Sequence, residues 1–178
     1  MTSKTISTSR TFIRPLEEED GAFILELVNC DGWLQFIGDR QVRSIDAAIA
    51  YIKNILGSPH ITYRVVTLSN QNVPIGIVTL IKKDYLPFHD IGFAFLPTFA
   101  GKGYACEATQ TFLQDLIAGY ADEKLLATTI PENIRSIRLL QKLGFEFDSE
   151  INIEGKKLQV YAALTDELKK SVTSVSPR

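Results

Sequence analysis

The spacing of hydrophobic residues in the first third of the chain predicts a short strand followed by two helices. Hydrophobic and polar residues alternate over residues 10–14, as in a strand, and the alternation stops at Pro15. Hydrophobic residues then recur at every third or fourth position over residues 17–29, and again after Ser44, a good N-cap. The second helix is expected to bury one face, made of Ile45, Ala48, Ile49, Ile52 and Leu56. Residues 30–40, which carry the only tryptophan, are expected to form a loop.

The pattern then changes to a period of two, which predicts a sheet. Residues 61–68 and 74–82 are rich in β-branched residues and read as an antiparallel hairpin, and residues 90–96 as a third strand. Further on we expect a helix over 104–117, a strand over 124–130, a helix over 133–143, and two strands around Phe147 and Val160. This order predicts a mixed α+β or α/β domain with a largely antiparallel sheet.

Composition narrows the class of protein. With 178 residues, 45% of them hydrophobic, we expect one domain over residues 10–164, a flexible leader over 1–9 and a polar, frayed tail over 165–178. The 19 basic and 21 acidic residues nearly balance, which argues against nucleic acid as the main partner. Two distant cysteines and the absence of an apolar leader or a long apolar run favour a cytoplasmic protein that does not cross a membrane.

A glycine loop carries the first chemical signal. In TFAGKGYA, Gly101 and Gly103 flank Lys102 between a strand and a helix. Glycines allow close approach of a ligand to the main chain, and the first N–H groups of a helix are unpaired, so the loop predicts an anion site that suits a pyrophosphate. A glycine-rich helix entry without a ligand is the alternative.

Two other glycine motifs fit less well. A Walker A loop requires GxxxxGK followed by Ser or Thr, whereas here Lys102 lies between the glycines. A dinucleotide fingerprint requires Gly or Ala where this chain has Cys106, so a nicotinamide-nucleotide enzyme is disfavoured.

Two longer stretches resemble a known family. DIGFAFLPTFAGKGYACEA, followed by PENIRSIRLLQKLGF, is similar to the GCN5-related N-acetyltransferases (GNAT), in particular to the Rim-type ribosomal-protein N-terminal acetyltransferases. RTFIRPLEEED and DGWLQFIGDR resemble that branch too, so the likeness runs from residue 10 to about 164. It implies a GNAT-like fold, with a splayed, largely antiparallel central sheet and helices on both faces.

The resemblance also implies acetyl-CoA as co-substrate and no metal. The residues whose amides would hold the pyrophosphate are Gly101, Lys102, Gly103, Tyr104 and Ala105. The pantetheine arm would run beside Phe95 and Leu96, with Asn133 against it, although Asn133 is equally a helix N-cap. Either Arg135 or Arg138 would reach the 3′-phosphate, with a solvated helix face as the alternative.

Acetyl transfer to an amine needs a neutral amine, a stabilised oxyanion and a proton for the thiolate. We expect the oxyanion donor to be a backbone N–H near Phe95 or Leu96. Many family members donate the proton from a tyrosine where this chain has Leu140, so Ser136 is the candidate here, its alternative being a role in its own helix end. Asp90 is the candidate base; an exposed strand-end aspartate, with water as base, is the alternative. We expect Glu107 to order the glycine loop.

The acceptor is less constrained. Trp33, Phe36 and Arg40 are candidate substrate contacts, although the two aromatic residues would serve equally as core anchors. The sequence predicts an N-acetyltransferase in which a primary amine attacks the thioester directly. A protein N-terminus, a polyamine, an aminoglycoside and an amino acid stay open as acceptors, as do a monomer and a homodimer. The missing tyrosine at Leu140 leaves a catalytically idle acetyl-CoA-binding module as the alternative.

Overall fold

The computed structural model describes residues 4–173, and residues 1–3 and 174–178 lie outside the described part. The strands are β1 (Ile6–Ser7), β2 (Thr11–Pro15), β3 (Ile61–Leu68), β4 (Pro74–Ile81), β5 (Asp90–Phe95), β6 (Lys124–Thr129), β7 (Glu146–Ile153) and β8 (Lys156–Leu164). The helices are α1 (Gly21–Asn29), α2 (Asp31–Phe36), α3 (Ile45–Leu56), α4 (Tyr104–Ile117), α5 (Ile134–Lys142) and α6 (Thr165–Thr173). None of the helices in residues 4–173 is long and apolar enough to cross a bilayer.

The strands form one open sheet in the order β1-β2-β3-β4-β5-β6-β8-β7. Every pairing is antiparallel except that of β5 with β6, which is parallel. The predicted mixed, largely antiparallel sheet is therefore confirmed. The parallel pair needs a crossover, and α4 supplies it.

The central pair β5–β6 is joined only at its start. Its register is limited to Asp90 opposite Leu126, supported by the Leu126 N–H donating to the His89 carbonyl at 2.9 Å. On its other side, β5 pairs with β4 over its whole length, from Asp90 to Phe95. The sheet thus splays between β5 and β6 towards the carboxyl ends of these strands, as the family resemblance implied.

Helices cover both faces of the sheet. On one face α4, α5 and α6 bury side chains such as Phe112, Leu140 and Leu168 against Ile91 and Leu125. On the opposite face α1, α2 and α3 bury a second cluster, which includes Ile24, Trp33 and Ile52. Alternation along β5 places Ile91, Phe93 and Phe95 with the first cluster and Ala94 with the second.

Two local predictions differ from the structure. The expected loop over residues 30–40 contains helix α2, which is anchored by Trp33, a side chain only 3% exposed. In α3 the buried stripe is Ala48, Ile52 and Ile55, whereas Ile45 and Leu56 are each 52% exposed. The buried stripe follows i, i+4, i+7 spacing and is confined to the middle of the helix, so the packing does not extend to its two end positions. The Ser44 cap is confirmed, because its side chain accepts from the Ala47 N–H.

Parts of the predicted leader and of the predicted tail belong to regular structure. Within the predicted leader, Ile6–Ser7 pairs with β2 as strand β1, and the Thr8 and Ser9 hydroxyls donate to Glu107. Within the predicted frayed tail, α6 begins at Thr165, and its Leu168 is buried against the core. A polar segment stays ordered when its hydroxyls find buried partners or when one apolar residue anchors it. The remaining residues of the leader and tail predictions, 1–3 and 174–178, lie outside the described residues.

Candidate active site

The splayed gap opens at the edge of the sheet where β5 and β6 both end. Because the two strands are parallel, the segment after β5 and the segment after β6 leave the sheet at the same edge. The first segment is the glycine loop that leads into α4, and the second is the turn over residues 130–133 that leads into α5. The two stretches that the sequence singled out therefore flank one opening.

The glycine loop presents a run of unused main-chain donors. Gly101 and Gly103 have φ of +73° and +83°, a left-handed conformation that favours glycine, and Gly103 is the N-cap of α4. The six successive N–H groups of residues 101–106 donate to no acceptor within residues 4–173. Successive amides around left-handed residues at a helix N-terminus form a concave anion site. The glycine loop therefore has the conformation that the predicted anion site requires.

Arg10 and Glu107 brace this loop, and the sequence reasoning missed Arg10. The Arg10 side chain donates to both the Glu107 carboxylate (Nε 2.7 Å, Nη2 2.6 Å) and the Lys102 carbonyl (Nη1 3.0 Å). Its guanidinium also lies over the Tyr104 ring, 4.5 Å from the centroid. Partial burial disfavours the charged carboxylate, but hydrogen bonds from Thr8 and Arg10 hold the pKa of Glu107 below its ordinary value. Glu107 is a structural anchor rather than a free base.

The main chain of β5 lines one side of the gap. The Leu96 N–H donates to the Ile75 carbonyl at 2.9 Å, on the β4 side, so it is not available for an oxyanion. Donors alternate between the two edges of a strand, which turns the N–H groups of Phe93 and Phe95 towards β6 and the gap. Of the two predicted oxyanion donors, only Phe95 has the orientation for the role.

The second flank of the gap is the start of α5. The Asn133 Oδ1 accepts from the Ser136 N–H at 3.2 Å, so Asn133 is an N-cap, which leaves its amide donors for another partner. The Ser136 hydroxyl is half-buried and makes no hydrogen bond with any residue of 4–173. Leu140, at the position of the family's tyrosine, is 1% exposed and packs in the core.

Three cations stand near the predicted cofactor path without an ion-pair partner in the described chain. Arg135 and Arg138 are exposed on α5, and Lys102 is exposed on the glycine loop. The Lys102 Nζ lies 5.6 Å from the centroid of the Phe99 ring. Flexible cations of this kind suit a phosphate.

Asp90 is buried, which excludes the exposed strand-end aspartate. Its side chain is 6% exposed and pairs with the Lys83 Nζ at 2.6 Å. The same Nζ donates to the Thr128 Oγ1 at 2.7 Å, so Lys83 links β5 to β6 where the gap begins. Burial raises the pKa of Asp90, and the Lys83 ammonium opposes that rise. The Asp90 Oδ1 has no hydrogen-bond partner of normal geometry within residues 4–173.

The three candidate substrate contacts are not alike. Trp33 is a core anchor, since its side chain is 3% exposed in the cluster under α1–α3. Phe36 is half-buried at the end of α2, and Arg40 is exposed in the segment that follows. Arg40 also lies near Tyr63, whose hydroxyl is 3.3 Å from that of Tyr51.

Comparison with known proteins agrees with this architecture. Residues 10–146 match the model of the acetyltransferase (GNAT) domain, and the chain therefore belongs to the GNAT family of acetyltransferases. It is 29% identical over 139 residues to the uncharacterized N-acetyltransferase YnaD of Bacillus subtilis (strain 168), covering 78% of this chain and 81% of YnaD.

Two further proteins share part of the sequence or the fold. The spermine/spermidine N(1)-acetyltransferase of Bacillus subtilis (strain 168) is 31% identical over 62 residues, which are 35% of this chain and 41% of that protein. The ribosomal-protein-S5-alanine acetyltransferase from Vibrio fischeri superposes with a TM-score of 0.76 at 17% identity, covering 93% of this chain and 99% of that chain. At this identity the second likeness concerns the fold alone.

Proposed function

We propose that this GNAT acetyltransferase moves the acetyl group of acetyl-CoA to a primary amine by direct attack of the amine on the thioester. The observation that carries the proposal is the run of six unpaired N–H groups over residues 101–106, beside the gap between β5 and β6. Successive N–H groups at a helix N-terminus favour an anion, and a pyrophosphate supplies several acceptors.

The residues present fit the cofactor. The amides of the glycine loop would hold the pyrophosphate, and the carbonyl groups of Phe93 and Phe95 would accept from the pantetheine amides, as in strand addition. Asn133 has amide donors to offer from the opposite flank, and Arg138 or Arg135 would contact the 3′-phosphate. When bound, acetyl-CoA supplies an activated acetyl thioester.

The chain itself offers a base and a donor. Asp90 shares the α1–α3 face of β5 with Ala94, so its carboxylate faces the side of the gap opposite α4. We assign it the proton of the attacking ammonium, carried by bridging waters, because five strand residues, about 16 Å, separate Asp90 from Phe95. Ser136, whose hydroxyl lacks a partner within residues 4–173, is assigned the hydrogen bond to the departing thiolate. The Phe95 N–H is the oxyanion donor.

Cofactor binding is tested by a ligand comparison. Because a ligand that binds only the folded state raises the melting temperature, acetyl-CoA should stabilise the protein and NAD should not. Stabilisation by NAD alone would replace the proposal with a nicotinamide-nucleotide enzyme. No shift with either ligand, confirmed by calorimetry, would contradict the proposed cofactor site.

Turnover is tested with an amine panel. The panel contains spermidine, an aminoglycoside, a free amino acid and a peptide with a free N-terminus, and the release of CoA thiol is followed for each. We expect steady release with one class. Binding of acetyl-CoA without release above hydrolysis for any class would favour an idle binding module, for which Leu140 in place of the family's tyrosine is the motive.

The amine panel also tests which class of acceptor the protein uses. The resemblance to the Rim-type branch predicts the peptide as the acceptor. The relative from B. subtilis that is named spermine/spermidine N(1)-acetyltransferase favours the polyamine instead. The two cysteines, Cys30 and Cys106, are free, which supports a reducing compartment such as the cytoplasm as the place of action.

A further inference from the structure

The segment that precedes β2 is attached to the glycine loop through one arginine. Thr8, Ser9 and Arg10 form an arm that converges on the Glu107 carboxylate in the first turn of α4. The Glu107 Oε1 accepts from the Thr8 and Ser9 hydroxyls and from the Arg10 N–H, and its Oε2 accepts from the Arg10 side chain. The carboxylate is therefore saturated by the arm.

Arg10 alone among these residues reaches the loop itself. Its Nη1 donates to the carbonyl of Lys102, the residue between the two left-handed glycines, at 3.0 Å. Its planar group stacks on Tyr104, and a Cβ added at Gly103 would lie 3.3 Å from its Nη2. Three of the five guanidinium N–H groups have partners, which leaves two without one within residues 4–173.

We infer that Arg10 is a positioning residue for the cofactor, fixing the glycine loop in the conformation that presents its amides. This inference rests on the proposed function, since it takes the loop as the pyrophosphate site. A loop with two glycines has many conformations, and ordering it on binding would reduce affinity. The bond from Arg10 to the Lys102 carbonyl orders the loop beforehand.

The charge of Arg10 acts in the same direction. The side chain is 45% exposed beside the unpaired amides, so an incoming anion can reach it. Its two free donors face no acceptor of the described chain. An approaching pyrophosphate thus meets a cation held in place by three hydrogen bonds, instead of a flexible one such as Lys102.

The test compares Arg10→Ala and Arg10→Lys with Thr8→Val. Calorimetry measures the dissociation constant of CoA, and scanning calorimetry measures the melting temperature without ligand. We expect Arg10→Ala to weaken CoA roughly tenfold, the loss of about one charge-assisted hydrogen bond. Thr8→Val, which loses the hydroxyl contacts to Glu107, Thr11 and the Arg10 N–H but none to the loop, should keep the wild-type affinity.

Arg10→Lys separates positioning from attachment of the arm. A lysine can pair with Glu107 but cannot also bridge to the Lys102 carbonyl, because it lacks the planar fork. We expect it to restore the melting temperature and not the affinity for CoA. Should Arg10→Ala fail to fold, Arg10→Lys decides alone.

The inference is overturned if a folded Arg10→Ala or Arg10→Lys binds CoA within twofold of the wild type. It is also overturned if Thr8→Val weakens binding as much as Arg10→Ala does, since attachment of the arm would then be the cause. Failure of the wild-type protein to bind CoA at all is a different result, and contradicts the proposed function.

Discussion

The two ends of strand β5 differ in the kind of chemical group that surrounds them. At its carboxyl end the proposed site consists of main-chain groups: the N–H of Phe95, the amides of residues 101–106 and two left-handed glycines. At its amino end the proposed site consists of side chains from three elements, with Lys83 linking Asp90 to Thr128. A main-chain site needs only a local fold and tolerates many side chains, whereas a side-chain site depends on each partner. Substitutions should therefore affect the two ends differently.

The largest effect is expected at the amino end. Asp90→Asn keeps the shape but removes the proposed base, so kcat should fall by about 100-fold or more, within the range of general-base catalysis. The decrease of kcat towards low pH should also disappear. Initial rates between pH 5 and 9, with the best amine of the panel, measure both.

The control for Asp90→Asn is a double variant that removes both charges of the ion pair between Lys83 and Asp90. Asp90→Asn leaves the Lys83 ammonium without its carboxylate, and the double variant with Lys83→Met restores local neutrality. If the double variant regains wild-type kcat, or if Asp90→Asn keeps the pH profile unchanged, Asp90 is not the base.

The same contrast explains which features of the site could be predicted from the sequence. The glycine loop was predictable because its chemistry follows from residues adjacent in sequence and from the helix that begins at Tyr104. The splayed gap came from the family resemblance and was confirmed by the single β5–β6 register. The partners Lys83 and Arg10 were not predictable, because 45 residues separate Lys83 from Thr128 and 97 separate Arg10 from Glu107.

Burial explains the other differences. Trp33 was assigned both to substrate and to core, and only packing could decide for the core. The leader and tail were judged by their polarity, yet Glu107 accepts hydrogen bonds from the hydroxyls of Thr8 and Ser9. Helix α6 is anchored by the buried Leu168 and by the Thr165 hydroxyl, which donates to the Asp122 carbonyl. A polar composition shows that a segment can be hydrated, but it does not show which hydrogen-bond partner the fold brings to that segment.

A second prediction tests a side chain placed at the main-chain end. Ser136→Ala should lower kcat at least about tenfold, as expected for loss of a general-acid contact. The melting temperature should not change, because the Ser136 hydroxyl has no partner within residues 4–173, and its N–H keeps the bond to Asn133. A kcat within threefold of the wild type would show that the carboxyl end of β5 works with main-chain groups alone.

A third prediction uses matched glycines. Gly101 (φ +73°) and Gly155 (φ +79°) are both left-handed, and a Cβ on either would meet nothing within 4 Å. Alanine at either position should cost about 1 kcal/mol of unfolding free energy, the strain of a left-handed residue. Only Gly101→Ala should also weaken acetyl-CoA, by roughly five- to tenfold if that strain is relieved by moving the amides. Denaturant unfolding and calorimetry separate the two effects, and equal affinities would show that the amides of the loop tolerate the strain.

Lys83→Met is expected to cause the smallest change in kcat and the largest change in the pH dependence of kcat. Burial already raises the pKa of Asp90, and the ammonium of Lys83 opposes that rise. Without the cation the carboxylate is less stable, so the pKa of Asp90 must rise further and a higher pH is needed to ionise the base. The low-pH decrease of kcat should move upward, while kcat at high pH stays within about threefold. A shift to lower pH, or no shift beside a folded protein, would mean that Lys83 does not control the ionisation of Asp90, and that the amino end of β5 is an ordinary buried ion pair rather than part of the site.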